Sequence, residues 1–364
     1  MIRPLSGSSR RARSRSSVDL PSPLRPTTPT RSPRPTPRLT ESSSVRVPKP
    51  FETASRLTKL GAAITRPRVA DRSARARIVH VLNPAWLDGL SLGDAVSAAP
   101  VDGGYASKTY RVSTTLGRSV IVKTHEDVPV DLYPLEADGL EALRGAFTIP
   151  DVLRVTPKFI VLSDLGTSAP SPTYWEDAGR ALARQHQRTA DKFGYHHDNY
   201  LGVLPQRNPW TDDGHAFFAQ HRLLRYLEFP TCYNALEEAD RRALERLVHR
   251  LPDLIPAQPA SLLHGDLWFG NLLPAQDGSP ALIDPAVSYG WPETELATFL
   301  TYGRVGDAFL GAYQDLHPLT PGWQTRFPIL HLREQLCVLA HAHSGLTTVT
   351  EIRTTLKPFR TSQT

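Results

Sequence analysis

The stretch Ser261–Pro285, SLLHGDLWFGNLLPAQDGSPALIDP, holds the residues best able to do chemistry. It carries Asp266, then Asn271 five residues on, then Asp284. Phosphoryl transfer needs this set: a carboxylate to take the proton of an acceptor hydroxyl, and an amide and a second carboxylate to hold Mg2+ against the phosphates. Between the last two lies Asp277-Gly278, the strongest short hairpin signal. A hairpin closing there would bring Asn271 and Asp284 side by side as one Mg2+ site, with Asp266 facing the acceptor. His264 is expected to prop the loop. A lone His-Gly-Asp means little, but the ordered set with its hairpin is specific.

Such a cassette must be preceded by a nucleotide cradle. Residues 100–125 read as strand, Gly turn, strand, turn, strand. Gly103-Gly104 forms the first turn, where a bare backbone could approach phosphates. By itself such a turn usually marks only a hairpin. Lys123 ends the β-branched run Ser-Val-Ile-Val-Lys and could reach the α- and β-phosphates. The chain holds seven lysines against 35 arginines, so a lysine at the end of such a strand is informative. A helix over 134–147 places Glu136 near its start, where it could pair with Lys123. Its plainer role is to stabilise the helix dipole. Phe159–Leu162 reads as a buried strand, and Ser163 to Leu165 as the connection between lobes, whose backbone would meet adenine. Residues 78–96 read as a short helical entry.

Helical patterns dominate from Ser171 onward, at 173–190, 217–226, 237–251, 296–300, 305–316, 323–342 and 348–356. His186 on its helix reads as a satisfied core histidine. The loop at 193–210 is dense in aromatic and amide side chains, Asn199 among them, and reads as a sugar-contacting loop or a structural collar. His196-His197 lacks a third ligand at metal spacing, which argues against a metal site there. Trp268, two residues past the proposed base, is expected to be a platform for the sugar or its amine substituent.

The net charge of +6 misleads. Residues 1–50 hold ten Arg and one Lys against Asp19 and Glu41, a net of +9. The remaining residues carry 31 basic and 34 acidic side chains and are mildly acidic. The basicity is therefore no nucleic-acid footprint. The Ser/Arg/Pro/Thr-rich residues 1–76 are expected to be a disordered tail, with a transit peptide as the alternative. Two cysteines, far apart, suggest neither a disulfide framework nor a zinc site, and they fit a reducing cytoplasmic setting. No apolar run is long enough to span a membrane. Partners are expected to be a small-molecule substrate only, with neither nucleic acid nor membrane, on a monomer.

Two features separate the cassette from a protein kinase. Asp284 is followed by Pro285-Ala286 and not Phe-Gly. Trp291-Pro292-Glu293 comes too soon after it to leave an activation loop. Both point to a small acceptor in an open pocket. The pieces Val122-Lys123, Glu136-Ala-Asp-Gly-Leu, Phe193-Gly-Tyr, Asp198-Asn-Tyr-Leu-Gly202, Pro205-Gln-Arg-Asn208, Leu263-His-Gly-Asp-Leu-Trp-Phe-Gly-Asn271 and Asp284-Pro-Ala resemble the fructosamine (ketosamine) kinase family, related to aminoglycoside and choline phosphotransferases. That resemblance, over about residues 78–350, implies a protein-kinase-like two-lobed α+β fold. The small β-rich lobe would be residues 77–162 and the mostly helical lobe 163–360. It also implies ATP- and Mg2+-dependent phosphorylation of the sugar 3-hydroxyl of ketosamines, which frees glycated amines. After Tyr289-Gly290 the sequence reads Trp-Pro-Glu-Thr-Glu295-Leu-Ala, where the family usually carries more polar groups. Tyr289 and Trp291 are therefore candidate acceptor contacts, and Glu295 a hydrogen-bond acceptor for the catalytic loop. The alternatives are a kinase for another small alcohol or an aminoglycoside, and a nucleotide-binding pseudokinase.

Overall fold

The computed structural model describes residues 83–101, 107–302, 305–342 and 346–360. The expectations for the 1–76 tail, for residues 78–82 and for Gly103-Gly104 lie outside them.

The first lobe is a five-stranded antiparallel sheet. Its strands are β1 (Ala95–Val101), β2 (Lys108–Thr114), β3 (Ser119–Thr124), β4 (Val152–Val155) and β5 (Phe159–Ser163), in the order β1-β2-β3-β5-β4. Helix α1 (Leu132–Ala142) crosses between β3 and β4. The side-chain period of two splits β3 cleanly. Val120 and Val122 are buried with Val112, Val161, Trp86 and Leu87 in a small apolar cluster on one face. Ile160 and Leu162 of β5 instead join Leu140 and Leu143 near α1 in the large core. Lys123, out of phase with Val120 and Val122, points away from the small cluster. The expected helical entry is reduced to one 3-10 turn, Pro84–Trp86, and β1 begins at Ala95, where a helix was expected. Register explains the difference: Ala98 opposes Val112, and Pro100 opposes Tyr110. Pairing with β2 overrides a weak local helical pattern.

The second lobe is mostly helical. Its elements are α2 (Tyr174–His186), β6 (Thr189–Ala190), β7 (Asn199–Leu201), β8 (Leu204–Gln206), α3 (Gly214–Phe218), α4 (Pro230–Ala235) and α5 (Glu238–Leu254). There follow β9 (Ala260–Leu263), β10 (Leu272–Pro274), β11 (Pro280–Leu282), β12 (Ser288–Gly290), α6 (Pro292–Tyr302), α7 (Asp307–Leu316), α8 (Trp323–Ala340) and α9 (Leu346–Leu356). The helix expected at 217–226 breaks into α3, a π turn at Ala219–Leu223 and a 3-10 turn at Leu224–Glu228. Arg222 and Arg225, both buried, lie in this irregular stretch and send guanidiniums to the carbonyls of Arg207 and Pro205. The mixed fold is the expected one: an antiparallel sheet lobe followed by a helical lobe.

Three short pairings set the catalytic loop. Strand β9 lies between β12 and β6. The β10–β11 hairpin closes through Ala275 and Ser279, with Gly278 at φ +80°. Leu272 opposes Leu282, and the Ile283 amide donates to the Asn271 carbonyl at 3.1 Å. Asn271 and Asp284 are thereby neighbours, as the Asp-Gly turn requires. No helix among the described residues is long and apolar enough to cross a membrane.

Candidate active site

One cleft gathers most of the residues singled out from sequence. Lys123, Glu136, Asn199, Asp266, Trp268, Asn271 and Asp284 line it, together with Ser107, Thr109 and Tyr200. The Lys123 ammonium donates to Glu136 Oε1 at 2.6 Å and to Asp284 Oδ1. Burial alone would lower the Lys123 pKa, but the two carboxylates outweigh it and hold the ammonium charged well above its ordinary range. Burial raises the Glu136 pKa, with Lys123 opposing. The cation links β3, α1 and the end of the β10–β11 hairpin.

Asp266 sits where the loop leaves β9. Burial pushes its pKa well up, helped by the nearby charges of Glu334 and Asp284 and opposed by Arg333. The Asn271 side-chain amide donates to the Asp266 carbonyl at 2.8 Å and to Asp266 Oδ2 at 3.0 Å. Spending the NH2 this way leaves the Asn271 side-chain oxygen as the group offered to a cation. Asp284 adopts φ +57°, a left-handed conformation that a non-glycine residue adopts only when its surroundings enforce it. An amide oxygen beside a carboxylate is an all-oxygen donor pair, which suits Mg2+. The residues fit the ion the sequence implies.

The loop is braced from beneath. His264 is fully buried. Its Nε2 donates to the Ile283 carbonyl at 2.8 Å, and its Nδ1 accepts from the Asp266 amide at 3.2 Å. Those two bonds require the neutral ring, and burial lowers its pKa accordingly. Gly265, at φ +84°, passes so close to Ala286 that an added Cβ would lie 1.9 Å from the Ala286 oxygen. Glu295 accepts from the His264 and Gly265 amides at 3.2 and 2.7 Å and from His186 Nε2 at 3.0 Å. The Tyr313 hydroxyl completes the chain at 2.8 Å from His186 Nδ1. Burial opposes ionisation of Glu295, but His186 and the loop amides keep its pKa low. His186 is a satisfied core histidine, as expected.

The loop at 193–208 acts as a collar. Asn199 donates to the Val287 carbonyl at 2.8 Å, and Gln206 to Ala286 at 3.1 Å and to Asn199 Oδ1 at 2.9 Å. Asn208 donates to Asn199 Oδ1 at 3.0 Å and accepts from Arg222 at 2.6 Å. These amides grip the backbone just after Asp284. Asn199 thus reaches the cleft wall while its side chain is spent on Val287 and its neighbours.

Four expected site residues are not brought to this cleft. The Ser163 amide donates to the Asp151 carbonyl at 2.9 Å, and its hydroxyl accepts from the Asp151 amide at 2.8 Å. Between Ser163 and Leu165, Asp164 is tied to Arg111 and Ser119. The Gly166 amide, one residue past Leu165, donates to Asp164 Oδ1 at 3.0 Å. Tyr289 packs near Tyr195 and Trp210, with ring centroids 6.3 and 6.0 Å away. Trp291 is 3% exposed and packs among Phe193, His215 and Phe218. Two residues on, Glu293 makes a buried bidentate pair with Arg326. Trp291 and Glu293 are therefore part of the buried packing of the helical lobe.

Sequence reasoning missed Arg333. Its guanidinium donates to the Gly265 carbonyl at 2.6 Å and to Gln206 at 3.3 Å, joining loop to collar. It also missed Asp138, the acceptor of the Tyr195 hydroxyl at 2.9 Å. A buried arginine on the largely apolar helix α8 was the available signal for the first. The second had none, because its partners lie 57 and more residues away.

A sheet lobe carrying a lysine–glutamate pair, over a helical lobe presenting Asp266, Asn271 and Asp284, defines a phosphotransferase of the protein-kinase-like class. A family model described as fructosamine kinase matches residues 91–349, and the chain belongs to that family. A "Probable ketoamine kinase" of Enterococcus faecium is 34% identical over 64% of this chain and 85% of its own. A "Protein-ribulosamine 3-kinase, chloroplastic" of Oryza sativa subsp. indica is 32% identical over 62% of this chain and 68% of its own. The crystal structure of a Thermobifida fusca protein described as a fructosamine-3-kinase superposes with TM-score 0.67 at 28% identity, covering 75% of this chain and 98% of that one. Aminoglycoside phosphotransferase APH(4)-Ia matches at 14% identity and TM-score 0.50, over 74% of this chain and 95% of its own, which shows the shared fold alone.

Proposed function

We propose that this chain transfers the γ-phosphoryl group of ATP to the sugar 3-hydroxyl of a ketosamine, a fructosamine or ribulosamine formed on an amine. The observation that carries the reading is the meeting of Lys123, Asp266, Asn271 and Asp284 in one cleft of a fructosamine kinase family member. The relatives' names supply the acceptor class. The lobes divide at residues 162 and 163, and the enzyme works in the cytoplasm as a deglycation activity.

Each residue has a task set by its surroundings. Lys123, held by Glu136, is placed to bind the phosphates. Asn271 and Asp284 would hold Mg2+, which when bound neutralises phosphate charge. Asp266 takes the proton of the acceptor hydroxyl. Its raised pKa makes it a stronger base than an ordinary carboxylate, and Asn271 orients it. Trp268 offers a ring face at the cleft wall for the sugar. The Leu165 amide would meet adenine.

The test is an ATP-consumption assay of the purified chain with ribulosamine, fructosamine and aminoglycoside acceptors, with and without Mg2+. Mg2+-dependent turnover on the first two supports the reading. Turnover on aminoglycosides alone moves the acceptor class. ATP binding with no turnover on any acceptor makes the chain a binding module and sinks the proposal.

A further inference from the structure

A second cluster lies outside the machinery just described. Asp138 sits on α1, two residues past Glu136. His196 and His197 lie on the loop before β7. One ligand atom from each of the three falls within 4.8 Å of the others. Asp138 Oδ2 is 3.0 Å from His197 Nε2, and Oδ1 is 3.5 Å from His196 Nε2.

Proton accounting shows what this arrangement wants. His197 Nδ1 lies 3.0 Å from the Asp198 carbonyl, which can only accept, so Nδ1 carries the hydrogen. In the neutral ring Nε2 is then a lone pair. It faces Asp138 Oδ2, which is also an acceptor and already receives the Tyr195 hydroxyl at 2.9 Å. Two lone pairs facing each other need a cation between them. A proton would satisfy one histidine. The second, with ring centroids 4.3 Å apart, would then have only its own neutral Nε2–H to offer to Oδ1 at 3.5 Å. A single metal ion satisfies both imidazoles and the carboxylate.

We propose that Asp138, His196 and His197 form a binding site for one divalent transition-metal ion of the zinc class, separate from the Mg2+ pair. Two imidazole nitrogens and one carboxylate, with no thiolate, match that class, and three protein ligands leave a coordination position open. The outer contacts have the form that metal sites use: a backbone carbonyl fixes the His197 tautomer, and a tyrosine hydroxyl fixes the carboxylate. The loop is already ordered. Gly194 pairs with Tyr289, the Tyr195 amide donates to Asn208, and Asn208 donates to the His197 carbonyl. His196 is half exposed and has room to draw in toward bond lengths of about 2.0–2.2 Å. The ion would tie α1, which carries Glu136, to the loop of the helical lobe.

The test uses the full chain stripped by chelator and titrated with Co2+ without Mg2+, following visible d–d absorption, then displaced by Zn2+. One equivalent should bind. Binding should be lost in Asp138→Asn and His197→Ala, weakened more than about tenfold in His196→Ala, and kept in Asp284→Asn. Circular dichroism of each variant checks that it folds, and Zn2+ should raise the thermal midpoint of the unsubstituted chain and of Asp284→Asn but not of Asp138→Asn or His197→Ala. Binding unchanged in both Asp138→Asn and His197→Ala overturns the proposal, as does the absence of stoichiometric Co2+ uptake. None of these readouts depends on kinase turnover.

Discussion

As the proposed base, Asp266 would have to take a proton while sitting in a folded cleft that disfavours its charge. Its folded pKa is raised by burial, so the stability it contributes is full below the unfolded pKa of about 4 and is lost as pH rises through the folded value. Asp266→Asn removes that cost at neutral pH. The variant should therefore lose about 10²–10⁴-fold in kcat while its thermal midpoint rises, by roughly 2–4 °C for each kcal/mol recovered. Kinetics and calorimetry on the same sample check both halves, and a lower midpoint would contradict the burial argument. At this scale the candidate set was legible because Asp266, Asn271 and Asp284 match the phosphoryl-transfer template in order and spacing, and they line one cleft. Trp291, a candidate acceptor contact by its place after Tyr289-Gly290, packs instead on Phe193, His215 and Phe218, which come from distant segments.

At the scale of elements, the collar β7–β8 works at a distance from the chemistry. Asn208 holds Asn199 and Arg222 together, and Asn199 and Gln206 hold the backbone that follows Asp284. Asn208→Ala leaves buried partners unpaired and should cost about 1–3 kcal/mol of stability. It should also raise the Mg2+ concentration for half-maximal rate while leaving the acceptor KM near its original value, a split that steady-state kinetics resolves. An unchanged Mg2+ requirement would show that Asp284 holds its place unaided. The hairpin at Asp277-Gly278 was legible from two residues. The collar's purpose was not, because amide side chains in a loop look alike whether they grip a sugar or a backbone. The broken helix at 214–228 was also illegible, since its breaks answer buried arginines whose acceptors lie in β8 and just after it.

Among the described residues, histidines whose pKa is lowered by burial should weaken the fold in acid. Burial lowers His264, His317 and His331, the last to about 4. Each takes a proton in the unfolded chain near pH 6.5 and in the folded chain only at lower pH. Their stability contribution is present above about 6.5 and is lost as pH falls. Denaturant midpoints should decline from pH 7 toward 4.5, and His331→Leu should make that decline shallower. An equal slope in the variant would remove His331 from the account. The order of the lobes could be read from the sequence, because strands cluster before Ser163 and helical periodicity follows it. Where the sheet begins could not, because β1 owes its form to its register on β2.

The grip on the backbone after Asp284 also limits how the enzyme can be inhibited. Pro285 packs against Gly139 of α1, where an added Cβ would meet the ring at 3.0 Å. Ala286 and Val287 are held by side-chain amides. That segment has no aromatic residue to swing outward and no slack in which to turn. A compound that worked by displacing Asp284 would have to break those contacts first.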